Sequence, residues 1–538
     1  MRDPLERLGA FVPAAIALAV PTVFIPTIGT LPSAVDSFIL PRAGIVVGGA
    51  CVMAGLALLR PGGPGLGALR WPVVAAAAAA FAAFAFSVSW PVSFAGSYTR
   101  YESLPVRLSY LGLLAGAVWL LRSRRAREWV VPAFVFGTVV ACLEAVGQWA
   151  SSVPFRPDGN LGNANLLAAL IAMAFPLAVA RGLRMGTFVV AWWLALPALA
   201  AGLLVSTSRS GVLGAVAGCL ALATFLTWRR FPSRPGLAAG VGLACAGIVG
   251  LAVTVITVSP LSRLNDDPPG LRLHLWQDGI HMVLARPLTG WGEDTTGLAF
   301  GQFLSHNYAA LVTFDRIHSG PLDIAATEGL LGLAALTWLL VVLFRSAWRT
   351  GFQQDAAGLV AALVGYSVWV LFNFDWAPAT GAFWLLAGTA WSWIRLQQSG
   401  AAPGFEASTA RPDAGSLRSI AAIAFGVGAV VLAAMPMLAD VWYFEGRPDL
   451  SVKVDPLQAR YHWSFGDALA AQGSAQKGVN ELQLAAAYGE TEPGLYVDLG
   501  DVEARLGRIA DARAAYKRAL AIDPYYTPAS ERLAALKG

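Results

Sequence analysis

Charge is scarce in this chain: Asp, Glu, Lys and Arg make up 13% of its 538 residues, against 56% hydrophobic ones. Soluble domains carry roughly 25% charged residues, so water is excluded as the main solvent for most of the length. Lysine is missing altogether before Lys453, which leaves arginine as the only strong cation upstream. Cysteine is rare too. Cys51, Cys142, Cys219 and Cys245 all sit in apolar runs, where they act as small hydrophobes and lack disulfide or metal-site spacing. The five histidines, His274, His281, His306, His318 and His462, show no metal-ligand spacing either. Asp266-Asp267 runs into Pro268-Pro269 and reads as a turn, and no paired acidic motif marks the first outer loop. Chemistry without a metal or cofactor is therefore expected. The net charge of +5 is modest, and the arginines fall in short loops instead of one broad patch. That argues against nucleic acid as a partner.

What is present is a recurring apolar run of near-spanning length. Such runs fall near 8–29, 39–59, 71–90, 105–121, 129–150, 161–180, 185–205, 210–228, 236–258, 321–344, 356–374, 378–395 and 418–440, about 13 spans in all. Alternate loops hold Arg60/Arg70, Arg122/Arg124/Arg125/Arg127, Arg181/Arg184, Arg229/Arg230/Arg234, Arg345/Arg349 and Arg395/Arg411/Arg418, which with Arg2 and Arg7 make 18. The short loops between them hold five: Arg42, Arg100, Arg107, Arg156 and Arg209. By the positive-inside rule the rich side is cytoplasmic, so the N-terminus lies inside. An odd span count then puts the long loop at about 259–320, and all that follows about 440, outside. The first span has no small-residue cleavage site and reads as a retained signal anchor.

Residues 441–538 change character, with lysine appearing and amphipathic periodicity replacing continuous hydrophobicity. An offset of about 34 residues pairs Gly466 with Gly500, Gly473 with Gly507 and Ala485 with Ala519, the period of tetratricopeptide repeats. Tyr496, Leu499, Gly500, Gly507, Ala512, Tyr516, Ala519 and Pro524 follow that repeat's pattern, and Asp455-Pro456 echoes Asp523-Pro524 as a degenerate earlier copy. About two copies are fewer than a free-standing array needs, so packing against the membrane part or a partner is expected. The fold class is thus all-α: a polytopic helical bundle over 1–440, with a helical-repeat domain over 441–538.

A few polar residues carry candidate chemistry. Arg209, in Ser206-Thr207-Ser208-Arg209-Ser210-Gly211, sits at a span end on the arginine-poor side. Two readings stand: a bidentate ligand for phosphate oxygens, or a snorkelling side chain at a helix terminus. Arg272 and Trp276 lie one helical turn apart on an amphipathic segment, where they fit either a head-group contact or plain interfacial anchoring, the indole at the lipid interface. His318, in Asp315-Arg316-Ile317-His318-Ser319-Gly320, precedes a span. It is either a structural imidazole or a base for an acceptor hydroxyl, since its ordinary pKa is near 6.5. Asn163 and Asn165, in Asp158-Gly159-Asn160-Leu161-Gly162-Asn163-Ala164-Asn165, open another span and suit either a helix cap or sugar hydroxyls.

Taken in order, Gly96-Ser97-Tyr98-Thr99-Arg100-Tyr101, Gly162-Asn163-Ala164-Asn165-Leu166, Ser208-Arg209-Ser210-Gly211, Arg272 to Trp276 with Pro287-Leu288-Thr289-Gly290-Trp291-Gly292, and His318 to Gly332 resemble the O-antigen ligase and polymerase superfamily. The resemblance spans roughly residues 80 to 400. It implies a membrane glycosyltransferase working on an undecaprenyl-diphosphate-linked glycan donor, with Arg209 and Arg272 on the diphosphate and His318 as the catalytic histidine. Arg100, Asn163, Asn165, Trp276 and Arg316 are then expected to bind substrate. His306-Asn307 resembles the family's His-Asn pair but lies too far from Gly329 and Gly332; His318 has the expected spacing. The departure is Ser319, where the family usually has asparagine. The resemblance also implies an inverting displacement onto a lipid, glycan or protein acceptor, in the bacterial plasma (inner) membrane with its lipids, the repeats offering a surface for a protein partner.

The rival reading is a polysaccharide or lipid transporter or flippase. It asks for charges near span centres or two matching halves, and the sequence shows neither clearly. A scaffold acting only through its repeats leaves the placement of Arg209, Arg272 and His318 unexplained.

Overall fold

A computed structural model describes residues 4–26, 33–60, 63–184, 186, 188–234, 236–237, 240–242, 244, 271–307, 314–350, 354–398 and 417–536. Among these residues there is no strand. The membrane part comprises α1 (Pro4–Thr22), α2 (Ile39–Leu59), α3 (Arg70–Ala85), the short α4 (Trp90–Ala95), α5 (Leu104–Leu120), α6 (Arg124–Ala150), α7 (Ala164–Gly182), α8 (Val189–Ser206) and α9 (Arg209–Arg230). It continues through α10 (Leu271–Ala285), α11 (Gly320–Thr327), α12 (Gly329–Arg349), α13 (Gln354–Val370) and α14 (Ala377–Gln398). Its last element, α15, runs Leu417–Phe444 with a π turn at Val430–Ala434.

Among the described residues nine helices are long and apolar enough to cross a membrane, and Leu104–Leu120 and Ala356–Val370 are shorter apolar helices. α14 is 22 residues long, yet Arg395 and its threonines keep it less apolar than these nine. The expected span at 236–258 lies largely outside the described residues. The expected span at 321–344 is not one helix. α11 ends at Thr327, and the left-handed Gly329, φ +72°, separates it from α12. The chain breaks there because the amides of Leu330 and Leu331 donate to Pro287 and Leu288 of a distant loop.

Helix starts follow local capping chemistry. Ser123, Asn163 and Ser208 each accept a first-turn amide, from Ala126, Asn165 and Gly211 respectively, satisfying groups a helix otherwise leaves orphaned. α7 and α14 form the bundle's interior, with nearly every side chain buried. Against lipid there is little hydrophobic gain in helix contact, so close approach of backbones has to hold such helices together. α7, α9 and α13 do this with Gly214, Gly365 and Ala172: a Cβ on Gly365 would meet the carbonyls of Ala172 and Gly214. α15 runs along α2 at the bundle's edge and buries little.

The arginines sort into two ends. Arg122 donates to the Arg60 carbonyl, Arg395 to that of Pro64, and Arg184 faces Glu128, which gathers the arginine-rich loops. At the other end Arg42, wholly buried in α2, donates to Val20, Phe38 and Asn160 at 2.7–2.9 Å, linking α1, α2 and the turn before α7.

The C-terminal part pairs α16 (Pro448–Val454) to α21 (Thr527–Ala535) through α17 (Ala459–Ala471), α18 (Ala475–Ala487), α19 (Gly494–Arg505) and α20 (Ile509–Ile522). Gly500 lies under the ring of Tyr516, and Gly466 faces the Gly478 carbonyl, so the small residues mark the helix crossings. This array packs on the membrane part: Gln458 donates to the Gly96 carbonyl at 3.3 Å, and a Cβ on Gly301 would strike the carbonyl of Ile522.

Candidate active site

Two stretches far apart in sequence are joined backbone to backbone. The amides of Trp291 and Gly292 donate to Ala326 and Thr327 at 2.8 and 3.0 Å, and that of Leu330 donates to Pro287 at 2.7 Å. A Cβ on Gly290 would meet the carbonyls of Ala326 and Thr327, and one on Gly329 that of Leu288. Both glycines also take left-handed φ, +68° and +72°, where side chains are strained. The Pro287–Gly292 motif and the His318–Gly332 motif are thus one structural unit.

That unit fixes the segment carrying His318. Arg316 is buried in an ion pair with Asp294, whose other oxygen accepts from Ser97 N and Oγ at 2.6 and 2.9 Å. Ile317 N donates to Asp323 Oδ1 at 2.9 Å. Between them His318 takes φ +59°, a costly conformation for a residue with a Cβ. Trp276 Nε1 donates to the His318 carbonyl at 3.2 Å.

The turn between α13 and α14, Leu371-Phe372-Asn373-Phe374-Asp375-Trp376, meets three of the motifs. Phe372 O accepts from Arg272 Nη1 at 2.8 Å. Asn373 Nδ2 donates at 2.9 Å to Ser210 Oγ, the residue after Arg209. The Phe374 ring lies 5.3 Å from the His318 imidazole and 5.1 Å from the Arg100 guanidinium. Three consecutive residues, spanning at most about 10 Å, therefore touch Arg272, the start of α9 and His318. All three candidate side chains, Arg209, Arg272 and His318, are half-buried and so in reach of a substrate.

Residues 192–337 match the family described as O-Antigen ligase, and residues 493–536 match the tetratricopeptide repeat. The membrane part carries an O-antigen ligase domain. No curated protein matches the chain. The matched ligase domain begins in α8 and ends in α12, so it contains Arg209, Arg272, Trp276, Arg316 and His318. Arg100, Asn163, Asn165 and the Leu371–Trp376 turn lie outside it and are brought to it by folding.

Several residues expected to bind substrate are engaged by other side chains of the protein. Arg100 pairs with Asp315 at 2.5 and 3.0 Å and stacks on Trp376 at 4.5 Å, so its charge is already met. Arg316 is held by Asp294. Asn163 caps α7, and Asn165 accepts from Ser208 Oγ at 2.8 Å, tying α7 to the start of α9. These four position the neighbourhood of Arg209, Arg272 and His318.

Sequence reasoning missed the Leu371–Trp376 turn and an acidic cluster behind it. Arg107 is ringed by Glu328, Asp375 at 2.8 Å and Glu293 at 3.9 Å. Burial, then the neighbouring Glu328, pushes the Glu293 carboxyl well above its usual range. Burial likewise raises Glu102 and Asp323, each to about 7. At Asp315 burial is outweighed by the Arg100 and Arg316 guanidiniums, which hold it low. The signal available was the run Asn373-Phe374-Asp375, a polar break between apolar runs too short to be an ordinary loop.

Proposed function

We propose that this protein is a membrane glycosyltransferase of the O-antigen ligase type, which moves or polymerises a glycan from an undecaprenyl-diphosphate-linked donor onto a lipid, glycan or protein acceptor. The arginine-rich loops face the cytoplasm, and the candidate site and the repeat domain over 441–538 face outward from the bacterial plasma membrane. The donor diphosphate pairs with Arg209 and Arg272. Arg209 opens α9 behind the Ser208 cap, where the helix dipole also favours an anion. His318 takes the proton of the acceptor hydroxyl, whose oxygen attacks the anomeric carbon. The bond from that carbon to the diphosphate oxygen breaks, and the lipid diphosphate leaves on the two guanidiniums. A single displacement inverts the anomeric centre. Fixed cationic groups at a water-poor interface stabilise the leaving group's charge, so the step asks no metal of the protein.

The observation that carries this reading is the contact of Phe372, Asn373 and Phe374 with Arg272, Ser210 and His318 respectively. Purified full-length protein incubated with a lipid-diphosphate glycan and a candidate acceptor is expected to release lipid diphosphate. Arg209→Ala, Arg272→Ala and His318→Ala should each reduce that release by about a hundredfold or more. Undiminished release by Arg209→Ala or His318→Ala would end the proposal.

A further inference from the structure

The opposite end of the bundle holds a feature that the transferase reading does not use. A trough of about 960 Å³ runs along the seam of α1 and α6, from Glu6 and Arg7 to Thr22 and Val23. Those 17 steps of helix make it about 25 Å long, enough for a fatty-acyl chain. Its floor is alanine, Ala10, Ala14, Ala15 and Ala19 on α1 and Ala126 and Ala133 on α6. Its walls are Phe11, Trp129 and Phe136, each more than half exposed. Small residues between large ones hollow the surface, and among the described residues nothing covers the exposed aromatics.

Four arginines stand at the mouth, Arg7, Arg60, Arg122 and Arg125, with Glu6 the one acidic residue lining it. Among the described residues no carboxylate lies within ion-pairing distance of any of the four. Arg122 is fixed by donating to the carbonyls of Trp119 and Arg60, which brings two like charges to one spot. Burial, and then the Arg60 guanidinium beside it, lowers the pKa of Arg122, and the Glu6 carboxylate acts against them without reversing the shift.

We propose that this trough is a binding site for one anionic glycerophospholipid, its phosphate against Arg60 and Arg122 and an acyl chain laid along α1 over the alanine floor. The positive-inside rule accounts for arginine at this end of the molecule. It does not account for four guanidiniums, without a carboxylate partner among the described residues, converging on the end of an apolar channel. Arg229 and Arg230, at the end of α9, share the same topological role without lining the trough. The proposal does not rest on the transferase reading.

The test is native mass spectrometry of the purified full chain in detergent, with phosphatidylglycerol, phosphatidylcholine or a polyprenyl monophosphate as probe. Phosphatidylglycerol should be retained in preference to phosphatidylcholine. The Arg60→Gln/Arg122→Gln variant should lose about fivefold in retention for each arginine removed. Ala15→Trp, which keeps every charge but fills the floor, should also weaken retention, and Arg229→Gln/Arg230→Gln should leave it unchanged. Equal retention of phosphatidylcholine, an equal loss in the Arg229/Arg230 variant, or displacement of phosphatidylglycerol by the polyprenyl phosphate would overturn the proposal.

Discussion

Asp323 accepts the Ile317 amide through Oδ1 at 2.9 Å, while its buried Oδ2 has no hydrogen-bond partner among the described residues. Burial pushes its carboxyl from 3.8 to about 7. A carboxyl raised by folding binds its proton more tightly in the native state than in the unfolded chain. The stability it contributes is therefore full below pH 3.8 and is lost as pH climbs through about 7. Asp323→Asn keeps the Oδ1 acceptor and removes the titration. Its thermal unfolding midpoint should fall less than the wild type's between about pH 5 and about pH 8. Glu102, raised in the same direction, should leave some of the slope in place. Profiles that run parallel would show that Asp323 ionises as an ordinary carboxylate. Backbone strain gathers in the same region: Thr99, Tyr101, Thr207, Asp294 and His318 all hold positive φ. These residues flank Arg100, lie next to the Ser208-Arg209 start, pair with Arg316, or are the candidate base itself. Strain of this kind persists where surrounding contacts over-determine it.

At the scale of elements, the Pro287–Gly292 strip and the α11–α12 junction hold each other through backbone hydrogen bonds, and their glycines permit the approach. Gly329→Ala should destabilise the protein by about 3 to 5 kcal/mol, combining a left-handed φ with a Cβ driven into the Leu288 carbonyl. Gly507→Ala is the matched control. Its φ is +78°, but nothing lies within 4 Å of the added Cβ. It should cost about 1 to 2 kcal/mol. Thermal unfolding in detergent compares the two, and equal losses would mean that the junction yields. The sequence marked both glycine motifs and could not show that they touch, because Gly290 meets Ala326 and Thr327, and Gly329 meets Leu288, through backbone contacts that leave no periodicity. The same holds for the Leu371–Trp376 turn: hydropathy put Leu371 to Phe374 at the end of an expected span, yet these residues contact three motifs lying about 50 to 160 positions upstream.

At the scale of the whole molecule, Asp440 near the end of α15 joins three parts. It accepts from Asp36 N at 2.8 Å ahead of α2, from Tyr98 Oη at 2.6 Å in the loop leading to Arg100, and from Tyr461 Oη at 3.2 Å in the repeats. Asp440→Ala strips the acceptor from two buried hydroxyls and an amide, each worth about 1 to 3 kcal/mol when left unmet. We expect limited proteolysis to release the repeat part faster and glycan transfer to fall with it. An unchanged digestion pattern would mean that the Gln458 and Ile522 contacts suffice. What the sequence settled by itself was solvent and class: apolar runs of spanning length, arginine sorted between alternate loops, and a 34-residue period in the tail all follow from local composition and need no long-range contact. What only the tertiary structure decided was which charges are already met. Arg100 and Arg316 read like Arg209 and Arg272 along the chain, and the pairing of the first two with Asp315 and Asp294 could not be read there, because an ion pair between distant residues is made by the fold that brings them together.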